Sequence, residues 1–495
     1  MEQSLILALD IGSSSVRASL YDSDANPVPG TFVKIERSFV STADGGSELD
    51  SHAAFAQVVA AIDSVLEKSG QIKGEINHVA SCAFWHSLVG VDADGDPMPT
   101  VLGWADTRSR DYTKILQNEF DEAEVHNRCG AHFHSSYWPA KLMWLRNEFP
   151  DAFANAGGIY SFSDFVALKF FGEAATSISM ASGTGLFDIR RCVWDEELLN
   201  FLKIDPALLP RIADDKSETL TLGQTFAKRW PRLAHAKWFP TIGDGAADNI
   251  GSGCVTRSKA ALMVGTSGAM RVAYRGEPPT NIPEGLWCYR IDAASVIIGG
   301  ALSDGGNLYR WLKDNLKLPN DAEAQIQERG AARHGLTFLP FLFGERSIGY
   351  DEAAVGGLIH LTASHDSVDI LQAAMESVAF RFAEVFDRLK PVTNISQIVA
   401  SGGALRDSAL WMQIIADVLG HDLTPAIVHE SSLSGAVLLA LQTTGKIENI
   451  ECVSVRKDSP VSYRPERYVV CLQARDTHRK RYNDLKGIYD SRRQS

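Results

Sequence analysis

The first segment that could carry chemistry is a short polar turn between two apolar runs near the N-terminus. Asp10 closes the run that begins at Leu5, and residues 12–14, Gly-Ser-Ser, follow it. A carboxylate at a strand end can hold Mg²⁺ directly or through water, because hard cations prefer oxygen ligands. Glycine and serine let backbone N–H and hydroxyl groups approach a phosphate, and Arg17 could add charge-assisted contacts. An ordinary hairpin with a surface aspartate is the alternative.

A turn of the same kind lies near the middle of the chain. Residues 265–268, Gly-Thr-Ser-Gly, separate the apolar runs 261–264 and 269–274. One strand–turn–strand unit at the start of each half predicts a duplicated fold with two facing phosphate-binding turns. Chance is the alternative, because hairpin turns often contain Gly and Ser.

A third candidate is Asp244, which lies among small residues in the segment 243–249, Gly-Asp-Gly-Ala-Ala-Asp-Asn. These neighbours would leave its carboxylate unshielded at a strand-to-helix junction. That position suits a general base that must reach a substrate hydroxyl. A helix N-cap is the second interpretation, and one aspartate can serve both purposes.

A fourth candidate is the glycine pair Gly402 and Gly403, which follows the run 398–400 and precedes a helical pattern from Ser408. Such a turn lets a flat ligand lie against the backbone, and a simple tight turn is the alternative. The chain contains neither a G-x-x-x-x-G-K-[ST] nor a G-x-G-x-x-G sequence. P-loop and Rossmann dinucleotide-binding folds therefore have no sequence support.

The elements that must position these residues alternate between short apolar runs and amphipathic segments, which indicates an α/β fold. The spacing of apolar residues predicts helices over 370–390, 408–419, 431–445 and 476–493. Gly420 is a C-cap type for the second helix, and Ser431 and Ser432 are expected N-caps for the third. The fourth is basic and is expected to be a solvated surface helix.

Composition narrows the classes of protein that are possible. The chain has 495 residues, 45% of them hydrophobic, and a net charge of −13. At roughly 150 residues per domain this length suggests several domains, and the acidic balance disfavours a nucleic-acid partner. Without a basic N-terminal region or a long apolar run, neither a signal peptide nor a membrane span is expected. Seven scattered cysteines, none in a C-x-x-C pair, predict reduced thiols in a cytoplasmic protein.

A histidine-rich segment could suggest a metal site. It contains His126, Cys129, His132 and His134. This spacing matches no usual zinc pattern, and no cysteine pair follows it. A polar pocket wall and a plain loop or core segment are the other interpretations.

The order of these segments resembles the FGGY carbohydrate kinases, within the actin-like ATPase superfamily. Further segments that carry the resemblance are 104–108 (Trp-Ala-Asp-Thr-Arg), 141–145 (Lys-Leu-Met-Trp-Leu), 344–346 (Gly-Glu-Arg) and 373–376 (Ala-Ala-Met-Glu). The resemblance implies an α/β fold in which two actin-like ATPase (ribonuclease H-like) domains flank a catalytic cleft. With the repeated hairpin it predicts domains 1–245 and 246–495.

The resemblance also implies transfer of the γ-phosphoryl of ATP to a hydroxyl of a sugar or sugar acid, with Asp244 as the catalytic base and Asp10 organising Mg²⁺. The residues implied to hold ATP are Gly12, Ser13, Ser14, Arg17, Gly265, Thr266 and Ser267 at the phosphates, Gly306 and Arg310 beside the nucleotide, and Gly402, Gly403 and Asp407 at the adenosine end. Those implied to bind the sugar, together with Asp244, are His86, Trp104, Asp106 and Arg108.

Within the family the chain most resembles gluconate kinases, on segments 83–87, 104–108, 264–271 and 298–300. An acid substrate is also physically reasonable, because Arg108 or Lys141 could pair with a carboxylate. A xylulose, ribulose or other polyol kinase is the alternative, and a non-catalytic nucleotide-binding protein of the actin kind is a more distant one. The resemblance further implies a homodimer that binds small molecules.

Overall fold

The computed structural model describes residues 4–213, 218–427, 430–456 and 458–492, with side chains as far as residue 485. Its strands are β1 (Ser4–Ile11), β2 (Ser15–Tyr21), β3 (Val33–Glu36), β4 (Val40–Ser41), β5 (Ser47–Asp50), β6 (Glu75–Ala83), β7 (Val89–Val91), β8 (Thr100–Leu102), β9 (Gly158–Tyr160), β10 (Ala175–Thr176), β11 (Phe187–Asp188), β12 (Val193–Trp194), β13 (Arg211–Ile212), β14 (Lys237–Trp238), β15 (Ile242–Gly243), β16 (Lys259–Val264), β17 (Gly268–Arg275), β18 (Trp287–Asp292), β19 (Ser295–Leu302), β20 (Thr337–Leu339), β21 (Gly357–Ile359), β22 (Gln397–Ser401) and β23 (Leu423–Pro425).

The helices of the described chain alternate with these strands. They are α1 (Ser51–Lys68), α2 (Arg110–Glu119), α3 (Glu122–Cys129), α4 (Trp138–Glu148), α5 (Pro150–Ala154), α6 (Phe162–Phe171), α7 (Ile178–Ser182), α8 (Glu196–Leu202), α9 (Gln224–Arg229), α10 (Asp244–Gly251), α11 (Gly306–Asn315), α12 (Ala322–Arg329), α13 (Ser367–Leu389), α14 (Gly403–Asp407), α15 (Ala409–Leu419), α16 (Ser431–Thr443) and α17 (Pro465–Arg492). Short 3₁₀ turns occupy Pro206–Leu208, Pro231–Leu233, Lys390–Val392 and Ile450–Cys452. None of the helices that are described is both long and apolar enough to cross a membrane.

Two six-stranded mixed sheets share one topology. The first has the order β14-β6-β1-β2-β3, with β15 also paired to β6, and the second has the order β18-β19-β17-β16-β22-β23. In the first sheet β1 is antiparallel to β2 and parallel to β6. In the second, β16 is antiparallel to β17 and parallel to β22. The two sheets therefore repeat the same unit, as the paired hairpins in the sequence predicted.

The hairpin strands are buried along most of their length because both faces of each sheet are covered. Every residue of β1 after Ser4 is buried, and β17 is buried except at its last residue. Helices on both sides of a sheet produce this continuous pattern instead of alternation. The polar turns at 12–14 and 265–267 thus lie where two largely buried strands end.

Helix α16 belongs to the second half of the sequence but packs on the first sheet, against β1 and β6. Its Leu433 and Val437 lie in the same apolar core as the residues of β1. Helix α10, which begins at Asp244, packs along α16. The pair of helices therefore joins the two halves of the fold directly beside a candidate catalytic residue.

Glycine sets the spacing of this helix pair. A Cβ atom added at Gly435 of α16 would lie 1.8 Å from the carbonyl oxygen of Ala247, and one added at Gly251 of α10 would lie 1.9 Å from the carbonyl oxygen of Ser431. No side chain fits at these distances, so the two backbones can touch only if both positions are glycine.

The helices predicted from periodicity are present, with differences at their ends. Helix α15 has Ser408 as its N-cap and ends at Gly420 in the left-handed conformation. The predicted serine N-caps of α16 are wrong, because Glu430 occupies the N-cap position and Ser431 Oγ donates to Asp248 Oδ1 at 2.5 Å. Helix α17 begins earlier than predicted and is not wholly solvated, since His478 is buried. Arg493, the last residue of that predicted helix, lies outside the described residues.

The helix contact gives a stability prediction. Gly435→Ala should lower the free energy of unfolding by about 1–3 kcal/mol, because the new methyl group forces α10 and α16 apart. Denaturant unfolding followed by circular dichroism measures the change. Ser434→Ala on the same helix is the control and should stay within about 0.5 kcal/mol of the wild type. Equal stability of the two variants would contradict the packing argument.

Candidate active site

A cavity of about 1300 Å³ lies between the two halves of the chain and is lined by both. It brings together the two polar turns, the start of α10 and residues from the segments at 84–86 and 103–107. The predicted site residues that line it are Ser13, Ser14, His86, Trp104, Asp244, Gly265, Thr266 and Ser267. The remaining predicted residues lie behind or beside this wall.

Asp244 lies at the junction that the sequence suggested. It is the first residue of α10, and Gly243 before it holds the N-cap position. Its Oδ1 accepts a hydrogen bond from the N–H of Gly245 at 2.7 Å. Burial raises the pKa of Asp244 to about 7, with the negative charge of Asp10 adding to the effect and Arg271 opposing it. A carboxyl group with that pKa can accept a proton near neutral pH.

Asp10 lies near the end of β1 and is fully buried. Its Oδ2 lies 2.5 Å from Arg17 Nη2, while its Oδ1 is buried without a hydrogen-bond partner among the described atoms. The neighbouring thiol of Cys82 makes its weak hydrogen bond to the carbonyl of Ser432, at 3.7 Å. Burial raises the pKa of Asp10 and Arg17 lowers it. The unpartnered oxygen is the kind of ligand that Mg²⁺ or its water shell takes, so this residue fits a metal role.

Two arginines lie beside the first turn, and the sequence marked only Arg17. Arg17 is held behind the turn by Asp10 and by Glu430, whose Oε2 lies 2.6 Å from Arg17 Nη1. Its contact with the phosphates of ATP stays a prediction from the resemblance. Arg37 lines the cavity and donates through Nε to the carbonyl of Gly12 at 2.9 Å. Nothing in the spacing of the sequence marks Arg37, which follows a short edge strand.

The second turn is fixed by the start of α11. The N–H of Gly265 donates to the carbonyl of Ser267 within the turn at 2.9 Å. Gly306 and Asn307 then donate their backbone N–H groups to the carbonyls of Gly265 and Thr266, at 2.8 and 3.0 Å. The N–H groups of these two helix residues are thus used to hold the turn. Arg310, further along α11, is exposed and outside the cavity wall.

The glycine pair at the end of β22 lies against the second turn. Gly402 has φ +101°, and a Cβ atom there would lie 2.2 Å from the carbonyl oxygen of Val264. The chain then forms the short helix α14, which ends at the exposed Asp407. Gly402, Gly403 and Asp407 all lie outside the cavity wall. Their assignment to the adenosine end stays a prediction from the resemblance.

His86 and Trp104 form another part of the cavity wall. His86 adopts φ +66°, and its Nδ1 lies 2.5 Å from the carbonyl oxygen of Gly183. A carbonyl can only accept, so Nδ1 carries the proton. Burial lowers the pKa of His86 to about 3, which leaves the ring neutral with Nε2 as an acceptor. The guanidinium of Arg346 lies 4.3 Å above the ring of Trp104.

Asp106 and Arg108 hold the loop that carries Trp104 and do not line the cavity. Asp106 Oδ2 accepts from the N–H of Ser47 at 3.0 Å and from Arg108 Nη2 at 2.6 Å. Arg108 also pairs with Glu48 at 2.6 Å and lies over the ring of Trp144. These contacts support the loop that carries Trp104, and the assignment of Asp106 and Arg108 to the sugar stays a prediction from the resemblance.

Lys141, the other expected partner of a substrate carboxylate, is fully buried in the protein. Its Nζ donates to the carbonyls of His86, Gly103 and Ser136, at 3.1, 2.7 and 2.8 Å. Burial lowers the pKa of Lys141 to about 7. Its ammonium group ties the His86 segment to the Trp104 loop, so it shapes the wall without facing the substrate.

The histidine-rich segment forms part of the contact between the two halves. The rings of His126 and His132 stack at 3.9 Å, and His126 Nε2 lies 2.7 Å from the carbonyl oxygen of Leu286. His132 Nε2 accepts from the N–H of Gly285 at 3.1 Å. Within the residues that the structure describes, no cluster of His, Cys, Asp or Glu is arranged for a metal ion. These side chains therefore support the wall as packing and hydrogen-bonding groups.

Sequence reasoning missed the charged residues that line the cavity, apart from Asp244. They are Arg37, Arg110, Asp111, Lys114, Arg271, Arg346 and Glu352. Arg271 Nη2 pairs with Asp248 Oδ2 at 2.6 Å. Glu352 accepts from the hydroxyl of Ser135 at 2.9 Å across the two halves. The sequence spacing could have indicated Arg271, because it follows the second turn much as Arg17 follows the first.

Comparisons with known proteins agree with this arrangement. Residues 5–235 match the N-terminal domain of the FGGY family of carbohydrate kinases, and residues 260–443 match the C-terminal domain. A gluconokinase of Bacillus subtilis (strain 168) is 26% identical over 475 residues, covering 91% of this chain and 90% of the relative. A xylulose kinase of Staphylococcus xylosus is 23% identical, with 98% of each chain covered.

The crystal structure of a gluconate kinase from Lactobacillus acidophilus superposes with a TM-score of 0.90 at 24% identity, covering 99% of both chains. That likeness shows the fold, and it confirms the expected α/β architecture of two actin-like ATPase domains around a cleft. Both family domains occur in order along the chain, with the cavity between the parts they match. The chain belongs to the FGGY family of carbohydrate kinases.

Proposed function

We propose that this carbohydrate kinase phosphorylates a sugar acid, most specifically gluconate, with Asp244 as the base. The observation that carries the proposal is that Asp244 lines the same cavity as the turn at Ser13 and Ser14 and the turn at Thr266 and Ser267. A hydroxyl beside Asp244 would lie next to the groups best suited to hold a triphosphate. This is the arrangement that phosphoryl transfer needs, since catalysis rests on positioning and charge stabilisation.

The choice of gluconate is supported by the relatives and by the charges in the cavity. Two Bacillus relatives, each 26% identical over about nine-tenths of this chain, are gluconokinases. The cavity is also lined by Arg37, Arg271 and Arg346, which favour an anionic substrate in an otherwise acidic protein.

Asp10 would hold Mg²⁺, through its unpartnered Oδ1 or through an intervening water. When bound, the ion neutralises charge that develops on the phosphoryl oxygens. The same proposal assigns Gly12, Ser13, Ser14 and residues 265–267 to the phosphates of ATP. It assigns Gly306, Gly402, Gly403 and Asp407 to the remainder of the nucleotide.

The proposed mechanism begins with a hydroxyl of the sugar acid held within hydrogen-bond distance of Asp244. As the oxygen attacks the γ-phosphorus of ATP, its proton passes to the carboxylate of Asp244 and ADP leaves. Backbone and hydroxyl donors of the two turns stabilise the charge that builds up on the phosphoryl group. Closure of the two domains would exclude water, which could otherwise accept the phosphoryl group.

The division into domains 1–245 and 246–495 is part of the same proposal, with α16 of the second domain packed on the sheet of the first. A cytoplasmic location belongs to it as well, supported by the scattered cysteines. A homodimer is proposed from the family resemblance alone.

A xylulose kinase is the second candidate, supported by the relative from Staphylococcus xylosus that covers 98% of this chain. Coupled ADP-release assays with gluconate, xylulose, ribulose, glycerol and erythritol test the two candidates together. Gluconate should give the highest kcat/KM. A preference for xylulose without turnover of gluconate would reject the first candidate.

Replacing the proposed base should abolish most of the turnover. Asp244→Asn should lower kcat by roughly 10²–10⁴-fold, because the amide cannot accept the hydroxyl proton. Sugar-acid affinity, measured by titration calorimetry, should change little. Asp164→Asn is a matched control, since Asp164 is another buried carboxyl with a raised pKa but caps α6 outside the cavity. Near-wild-type kcat in Asp244→Asn would sink the assignment.

The raised pKa of Asp244 predicts the pH dependence of the rate. Only the ionised carboxylate can act as a base, so kcat/KM should rise with pH and level off above about pH 7. Below that value it should fall about tenfold for each pH unit. The profile is measured at saturating ATP with gluconate varied. A profile flat from about pH 5.5 to about pH 8.5 would be inconsistent with this role.

The same residue should reduce stability. The pKa of Asp244 is higher in the folded protein, about 7, than its ordinary value of 3.8. The folded state therefore binds a proton that the unfolded chain releases, and stability falls as pH rises between those values. Asp244→Asn should raise Tm by roughly 2–4 °C at about pH 8, and by less at about pH 5. A Tm shift that does not depend on pH would argue against a buried ionised carboxylate.

A further inference from the structure

Arg346 differs from the other arginines of the cavity in its polar contacts. Its Nη2 donates to the carbonyl of Leu302 at 3.0 Å. Its Nε is buried without a hydrogen-bond partner in the described structure. The guanidinium lies over Trp104, 4.3 Å from the ring centroid, and Arg346 lines the cavity. The contact with the ring holds the guanidinium in place, but most of its donor capacity is unused.

The charge of Arg346 is also uncompensated. Among the other arginines that line the cavity, Arg271 has a carboxylate partner at 2.6 Å, and Arg37 donates to the carbonyl of Gly12. No carboxylate in the described chain lies within salt-bridge distance of Arg346, and the same holds for Arg37 and for the cavity residue Arg110. Burial lowers the pKa of Arg346, and the groups that oppose this effect are three tyrosines and, more weakly, Asp304. Burial raises the pKa of Asp304 itself to about 7, so that carboxyl group is a poor counter-charge.

A cation held in a partly buried position without a partner is unfavourable, and a bound anion removes the cost. The planar fork of a guanidinium matches a carboxylate, which can accept two parallel hydrogen bonds. The neighbours of Arg346 indicate which anion it would bind. Arg346 lies over Trp104, and its charge helps to lower the pKa of His86, and both residues are predicted to bind the sugar.

We propose that Arg346 binds the carboxylate of the sugar acid and thereby makes the cavity prefer sugar acids to neutral polyols. This inference rests on the proposed sugar-acid kinase function and names the residue that recognises the acid group. It also replaces Arg108 and Lys141, whose donors are committed to the protein itself.

Trp104 and the tyrosine hydroxyls explain how the wall could hold an acid in one orientation. Tyr137 and Tyr289 share a hydrogen bond of 2.6 Å across the two halves, and Tyr289 lies in the cavity wall. A carboxylate on Arg346 would therefore have hydroxyl donors nearby as well as the guanidinium. A neutral hydroxymethyl group at the same place would leave the arginine without a counter-charge.

The test compares Arg346→Gln, Arg346→Lys and the control Lys114→Gln. Lys114 is an exposed cation at the rim of the same cavity, so its loss changes the general charge but not the acid contact. Each variant is assayed for kcat and KM with gluconate and with sorbitol, its neutral counterpart, and titrated with gluconate and with ADP. Thermal unfolding confirms that each variant is folded.

Arg346→Gln should lower kcat/KM for gluconate by about 10- to 100-fold, mainly through KM, the range expected for a hydrogen bond to a charged group. Activity toward sorbitol and affinity for ADP should change by less than about threefold. Arg346→Lys should recover part of the loss, because it keeps the charge without the fork. Lys114→Gln should resemble the wild type.

Two results would overturn the inference while the proposed function stands. One is that Arg346→Gln lowers kcat/KM equally for gluconate and for sorbitol. The other is that it lowers the affinity for ADP but not for gluconate, which would place Arg346 at the nucleotide phosphates. A wild-type enzyme that phosphorylates only neutral sugars would instead overturn the proposed function and this inference together. The wild-type assay thus separates the two failures.

Discussion

The site depends on one close contact between backbones, that of α10 with α16. Gly251 and Gly435 let the two helices touch, at separations where a Cβ atom would lie within 2 Å of a carbonyl oxygen. Helix α10 begins at Asp244, and α16 covers the first sheet beneath Asp10. Any widening of this contact would therefore move the two carboxyl groups relative to each other. The catalytic geometry is set by packing that involves no catalytic residue.

A chain of polar contacts runs through the same helix pair. Asp248 of α10 accepts from Ser431 of α16 at 2.5 Å and pairs with Arg271 of the second sheet at 2.6 Å. Arg271 in turn lowers the pKa of Asp244, which burial and Asp10 raise. The ionisation of the candidate base is thus balanced between charges from both halves of the fold. Changes in their separation would alter that balance, because electrostatic interactions depend on distance and on exclusion of water.

The sequence predicted the fold, and it predicted that the two turns and Asp244 come together in one cavity, but it did not predict which cations line that cavity. The turns 12–14 and 265–267 are recognisable from neighbouring residues alone, because in each a buried strand ends in small polar residues. Asp244 is recognisable in the same way, because small residues surround it at the start of a helix. Arg108 and Lys141 carry charge in the right segments, but burial forced each to use its donors on nearby carboxylates or carbonyls. Contacts between residues far apart in the sequence decide which cationic side chain keeps free hydrogen-bond donors. The spacing of residues along the chain cannot show this.

The wall at the sugar end is built from both halves of the chain, and this has a consequence for closure. His86 and Trp104 come from the first half, while Tyr289 and Arg346 come from the second, all lining one cavity. A sugar held between them would contact both halves at once and favour the arrangement in which they are close. Binding energy from these contacts could then help exclude water from the reacting phosphoryl group. Closure also explains how a protein of net charge −13 could bind two anions, ATP and a sugar acid. It would bring the few free hydrogen-bond donors of the cavity around the ligands, while the acidic surface stays in solvent.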